Sequence, residues 1–91
     1  MQIETLEVTQ KFIDNGKCRD GGGCPVALCI QKAGYLYGEV AATHISLNLT
    51  DYALRNDEAL QNWILDFDNG KDVKPFSLEL DTRNKQAKLR Q

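Results

Sequence analysis

The stretch "NDEALQNWILDFDNGKDVKPFSLELD", residues 56–81, carries two different periodicities back to back. In its first half Leu60, Trp63, Ile64 and Phe67 recur at i, i+3, i+4 and i+7, the spacing of one helix face. Asn56 stands before them as an N-cap, and Asp57 and Glu58 fall in the first turn, where carboxylates suit the positive end of the helix dipole. Asn69-Gly70 supplies the stop. In the second half Phe76, Leu78 and Leu80 alternate with Ser77, Glu79 and Asp81, the period of a half-buried strand. Pro75 stands at the start of that strand, where a missing donor is tolerated. One amphipathic helix running into one amphipathic strand means that both element types share a core.

Working outward, "QIETLEV" at residues 2–8 reads as a strand. Thr9 then offers an N-cap for a helix of about two turns, with Phe12 and Ile13 on its apolar side and Asn15-Gly16 as its stop. Further on, Pro25 suits a first helical position, and Val26, Cys29, Ile30 and Ala33 form one stripe. Cys24 is left as the capping residue, and Gly34 ends the helix. Tyr35, Tyr37, Val40 and the alternating Ile45, Leu47 and Leu49 argue strands, with a turn or bulge at Gly38 or Ala41-Ala42. "TDYALR" at residues 50–55 has no decisive pattern. This order predicts an α+β domain: a small antiparallel-dominated sheet with two or three helices packed on one face. The expected core is Leu6, Ile13, Val26, Ile30, Leu47, Leu60, Trp63, Ile64, Phe67, Phe76, Leu78 and Leu80.

A chain of 91 residues accommodates one domain, and its 42% apolar and 26% charged residues are ordinary for a globular protein. No apolar window of about 18 residues exists, so no spanning helix is expected. The start "MQIETLEV" has two glutamates and no apolar run, unlike a signal peptide, so the expected location is cytoplasmic. Three cysteines are an odd count and too few for a disulfide framework. In that setting the sequon Asn48-Leu49-Thr50 would not be used.

The net charge of −2 hides an asymmetry. Residues 1–81, the predicted domain, hold seven Lys and Arg against thirteen Asp and Glu, a balance of −6. Residues 82–91, "TRNKQAKLRQ", hold four cations and no acid and read as a basic C-terminal tail, either frayed in solvent or an arm for an acidic surface. An acidic body is a poor nucleic-acid ligand, so the partner expected for it is a protein.

"KCRDGGGCPVALCIQKAG", residues 17–34, holds all three cysteines. Cys18, Cys24 and His44 could supply a zinc or redox site, but a structural zinc site wants four ligands in close pairs, and the third thiol, Cys29, belongs to the apolar stripe. A thiol at a helix N-terminus can have a lowered pKa, and Cys18 could resolve it, so a cysteine-based module is the alternative reading. "DGGGCP" precedes a helix as phosphate loops do, but no Lys-Ser/Thr follows and Asp20 would repel a phosphate. His44 is the sole imidazole, and Asp66 and Asp68 sit at a helix end where solvation explains them, so no catalytic residue, no resident metal and no cofactor are expected.

At Ile13–Gly16, Cys24–Leu28 and Phe67–Leu80 the chain resembles small uncharacterised proteins encoded by phages and prophages. These carry an Ile-Asp-Asn-Gly-like turn, a Cys-Pro-Ile-Ala-Leu-like helix and a closing Phe-Asp-x-Gly-x-x-Val-x-Pro-Phe-x-Phe-x-Leu segment. The likeness covers most of residues 5–81. Such proteins commonly show two cysteines two residues apart before the proline, whereas here five residues, three of them glycine, separate Cys18 from Cys24. The resemblance brings no activity and no site residues; it implies a small acidic protein made by a virus in a bacterial cell. The expected function is therefore that of a non-enzymatic accessory protein that binds a host or phage protein, as an inhibitor of a bacterial defence system of the anti-CRISPR type would. Asp51, Asp57, Glu58, Asp66 and Asp68 are the expected contact residues, facing the basic channel of a nucleic-acid-binding effector.

Overall fold

The computed structural model describes residues 3–35, 38–41, 43–54 and 57–90. The chain runs β1 (Ile3–Val8), α1 (Gln10–Asn15), α2 (Pro25–Lys32), β2 (Glu39–Val40), β3 (His44–Leu47), β4 (Thr50–Ala53), α3 (Glu58–Asp68), β5 (Phe76–Asp81) and β6 (Gln86–Arg90). The strands form one sheet in the order β1-β5-β6-β4-β3-β2, curled as a half-barrel around the core. Four of the pairings are antiparallel, and the β4–β6 contact, at Ala53 and Gln86, is parallel. The α+β class read from the sequence holds; the sheet is mixed rather than purely antiparallel. Gln2, Tyr37, Ala42 and Asn56, which entered the sequence reading, lie outside the described residues.

Strand alternation sets the inner face. Leu6 faces Leu78 and Val8 faces Phe76 across β1–β5; Leu78 faces Leu89 and Leu80 faces Ala87 across β5–β6. The same face continues through Tyr52, Ile45 and Val40. Against it α3 lays Leu60, Trp63, Ile64 and Phe67, all buried, as its spacing predicts. The Trp63 ring stacks parallel to Phe67, centroids 6.0 Å apart, and meets Phe76 edge-on at 4.8 Å. Its indole N–H donates to the Lys74 carbonyl at 2.8 Å, which pins the connection from α3 to β5. Helix α2 buries Val26, Cys29 and Ile30 as expected, and Ala27 besides, but Ala33 is exposed at its C-cap. Leu6 and Ile13 pack at the core's margin rather than inside it, while Ile45 and Leu54 are fully buried. Gly34 and Gly70 follow α2 and α3 with φ of +99° and +78°, the left-handed conformation that ends helices cheaply only at glycine.

Three sequence expectations are corrected. The N-cap of α3 is Asp57, whose Oδ1 accepts from the Leu60 N–H at 3.1 Å. Leu49 does not continue a strand: Asn48 and Leu49, with φ of +50° and +63°, form the turn between β3 and β4, and Leu49 is 85% exposed. The basic C-terminal segment is not a frayed tail. Asp81 accepts from the Arg83 and Asn84 N–H groups and reverses the chain, so that β6 pairs with β5 along its length and lies in the interior of the sheet. The alternation that marks this strand, Ala87 and Leu89 inward, is short and sits between cations, so charge concealed it.

Beyond Gln86 the chain of β6 parts from β4, and the Leu89 N–H points away from β5 without a strand partner. Asp57 Oδ2 accepts it at 2.8 Å. One carboxylate thus caps α3 and completes β6. Asp57→Ala should lose a cap, about 1 kcal/mol, and leave a half-buried N–H unsatisfied, about 1–3 kcal/mol more; urea unfolding measures the sum. Leu49→Gly should act in the opposite direction, raising stability by about 1 kcal/mol, because glycine takes the left-handed turn without the Cβ clash.

Candidate functional site

The glycine-rich loop between α1 and α2 is held by its own backbone. The Asp20 carbonyl accepts from the Gly23 and Cys24 N–H groups, the Lys17 N–H reaches the Gly23 carbonyl at 2.8 Å, and the Asp20 carboxylate accepts from the Gly22 N–H at 3.1 Å. None of the three glycines has a positive φ; Arg19 does, at +58°. Two of the glycines stand in close approach instead, Gly21 against backbone and Gly23 against the end of a side chain. A Cβ at Gly23 would stand 2.8 Å from the Asp20 carboxylate, and one at Gly21 would stand 3.0 Å from the Val40 carbonyl oxygen. The Val40 N–H in turn donates to the Gly21 carbonyl at 2.8 Å, so the loop closes the β2 edge of the sheet. Two further ties reach α3: the Arg19 N–H donates to Asp68 Oδ1 at 2.9 Å, and the Cys18 thiol donates to the Phe67 carbonyl at 3.1 Å.

The three thiols occupy three environments. Cys18 is exposed, and Cys24 and Cys29 are buried. Cys24 caps α2 through its sulfur, which accepts from the Ala27 N–H at 3.5 Å. Burial nonetheless pushes its pKa up, against the N–H groups of Ala27 and Val26, and the charges of Asp68 and Asp20 add to the rise. The lowered thiol pKa that a helix N-terminus can produce is therefore reversed here by desolvation. Cys29 donates to the Glu7 carbonyl at 3.3 Å, and burial, with the Glu7 charge, pushes it up to about 11. His44 lies on β3, half-buried, with Nδ1 3.1 Å from the Thr43 hydroxyl. Among the described residues no three His, Cys, Asp or Glu side chains converge to hold a metal ion, so Cys18, Cys24 and His44 are not brought together as ligands.

The five expected contact carboxylates do not form one patch. Asp51 lies on the outer face of the sheet, where its Oδ1 accepts from the Ser46 hydroxyl at 2.6 Å. Asp57 is committed to Leu60 and Leu89, and one Asp68 oxygen to Arg19. Asp66 forms a loose ion pair with Lys71 at 3.8 Å, and Glu58 has no hydrogen-bond or ion-pair partner among the described residues. Glu58, Asn62, Leu65 and Asp66 share the outward side of α3, and Leu65 is 49% exposed there. Leu65 escaped the sequence reading, although the sequence places it off the Leu60–Trp63–Ile64–Phe67 stripe, where a large apolar side chain has no core to enter.

Scans against family models, curated proteins and solved structures find no match to the chain.

The thiols make stability pH-dependent. In the unfolded chain Cys29 titrates near the ordinary 9.0 and in the folded chain near about 11, so the unfolded state loses its proton first. Stability should be full below pH 9.0 and fall as the pH rises towards about 11. Urea midpoints measured across this range should decline, and Cys29→Ala should shallow the decline. A midpoint independent of pH in that window would mean that the thiol is not buried in the folded state.

Proposed function

We propose that this protein is a non-enzymatic accessory protein of the phage type, acting in the cytoplasm of a bacterial host by binding a host or phage protein and blocking a defence system such as a CRISPR nuclease. The observation that carries the reading is the outward side of α3. There a half-exposed leucine, Leu65, stands among Glu58, Asn62 and Asp66, and the Glu58 carboxylate has no internal partner among the described residues. An apolar anchor flanked by acids is the pattern of a surface that docks on a basic protein, with the leucine supplying burial and the charges supplying steering. Asp66 is held only by an exposed ion pair that a partner's cation could replace at little cost. The buried, hard-to-ionise state of Cys24 favours this reading over a thiol-based module, because the thiolate is the reactive form.

Expression in bacteria that carry an active CRISPR nuclease, followed by phage challenge, tests the proposal. The expected result is a rise in plaque count, with Glu58→Lys/Asp66→Lys, folded as the parent, weakening capture of the nuclease by about tenfold or more. Unchanged plaque counts across the defence systems tried, with no partner recovered from host lysate, would count against it.

A further inference from the structure

We propose that the β1 edge of the sheet is a strand-addition site for an extended, cationic segment of a protein partner, a second surface that does not depend on the α3 face. The sheet has two edges, β1 and β2. The β2 edge is closed by the glycine loop through the Val40–Gly21 hydrogen bond. The β1 edge is regular, without proline or bulge, and pairs with β5 from Ile3 to Val8. Which of its backbone groups face outward follows from two independent contacts. The Leu89 N–H turns away from β5 to reach Asp57. Because backbone direction alternates along an antiparallel ladder, Ser77, opposite Arg90, then turns towards β6, and Glu7, opposite Ser77, turns away from β5. The Cys29 thiol reaches that Glu7 carbonyl from α2, as this direction requires. Ile3 and Thr5 share the outward direction, and among the described residues their N–H and C=O groups have no partner on that side. A row of unpaired backbone groups on an exposed strand is a template for another strand.

Charge selects the occupant. Glu4 and Glu7 are the only charged side chains on β1, and Glu4 has no hydrogen-bond or ion-pair partner among the described residues. A second copy of this chain would bring two more glutamates and no cation, and two-fold pairing about Thr5 would set the two Glu4 side chains diagonally across the new ladder. A segment with lysine or arginine on alternate residues carries all its cations on one face, where they neutralise Glu4, which shares the face of Leu6 and Val8, while its backbone bonds to Ile3 and Thr5; Glu7, on the opposite face, already accepts from the Ser77 hydroxyl.

The test uses a blocked heptapeptide, Thr-Lys-Val-Arg-Val-Lys-Thr, and a counterpart with glutamate in place of its cations. Residue-resolved hydrogen exchange of the full chain is followed with each. The cationic peptide should slow exchange at the Ile3 and Thr5 amides by about tenfold or more while leaving α3 unchanged, and the acidic peptide should do nothing. Thr5→Pro removes only an outward-facing N–H, so it should keep the β1–β5 ladder and abolish the effect. Should Thr5→Pro fold poorly, Glu4→Lys serves instead and should weaken binding several-fold. No protection at β1, equal binding by these variants, or a dimer in sedimentation whose Ile3 and Thr5 amides are already protected without peptide would each overturn the proposal. Loss of the α3-face interaction with peptide binding intact, or the reverse, separates the two surfaces.

Discussion

The Asp57 carboxylate is the joint on which the described structure depends. It faces two problems that arise 32 residues apart in the sequence. A helix of the length of α3 begins with N–H groups that have no intrahelical partner, and β6 begins beside β4 but leaves it after one residue pair. Each problem leaves a donor inside or at the margin of the core. A carboxylate has acceptor capacity for both, and Asp57 divides its oxygens between Leu60 and Leu89. An alanine there would satisfy neither, and a serine could satisfy only one in this geometry. The joint also orients the core: with the N-terminus of α3 fixed on β6, Leu60, Trp63, Ile64 and Phe67 come down on Phe76, Leu78 and Leu80.

This explains which parts of the fold were legible in the sequence. Periodicity is a local property, and it located α2, α3, β1 and β5 because each carries its own apolar stripe. Cys24-Pro25 announced the start of α2 by local chemistry, and the cap is made by the cysteine sulfur as read. What the sequence concealed is long-range. Nothing near Asp57 in the chain says that its second oxygen will find Leu89, and without that contact residues 82–91 look like a charged tail. The turn at Asn48-Leu49 was obscured for a different reason. Leucine is a poor residue for a left-handed turn, and its apolarity imitated the next step of a strand.

The same division applies to the candidate surfaces. Acidic residues can be counted in a sequence, but counting does not separate a carboxylate spent on architecture from one left for a partner. Asp57 and Asp68 hold backbone N–H groups, while Glu58 and Asp66 face outward around Leu65. The cysteines divide likewise. Helix position alone points towards a reactive Cys24, but burial outweighs the N–H groups at its sulfur. The glycine loop that unites these residues is a clasp: it closes one sheet edge, bonds to the C-terminal end of α3, and leaves β1 as the open edge.

The most direct measurement of this account is the exchange rate of the Leu89 amide in the intact protein at neutral pH, read residue by residue by NMR. An interior β6 held by Asp57 requires that amide to exchange slowly, in the range of the core amides of Leu78 and Leu80, and to carry the shift of a charge-assisted hydrogen bond. Exchange at the rate of an unstructured peptide, with random-coil shifts from Thr82 to Arg90, would contradict it.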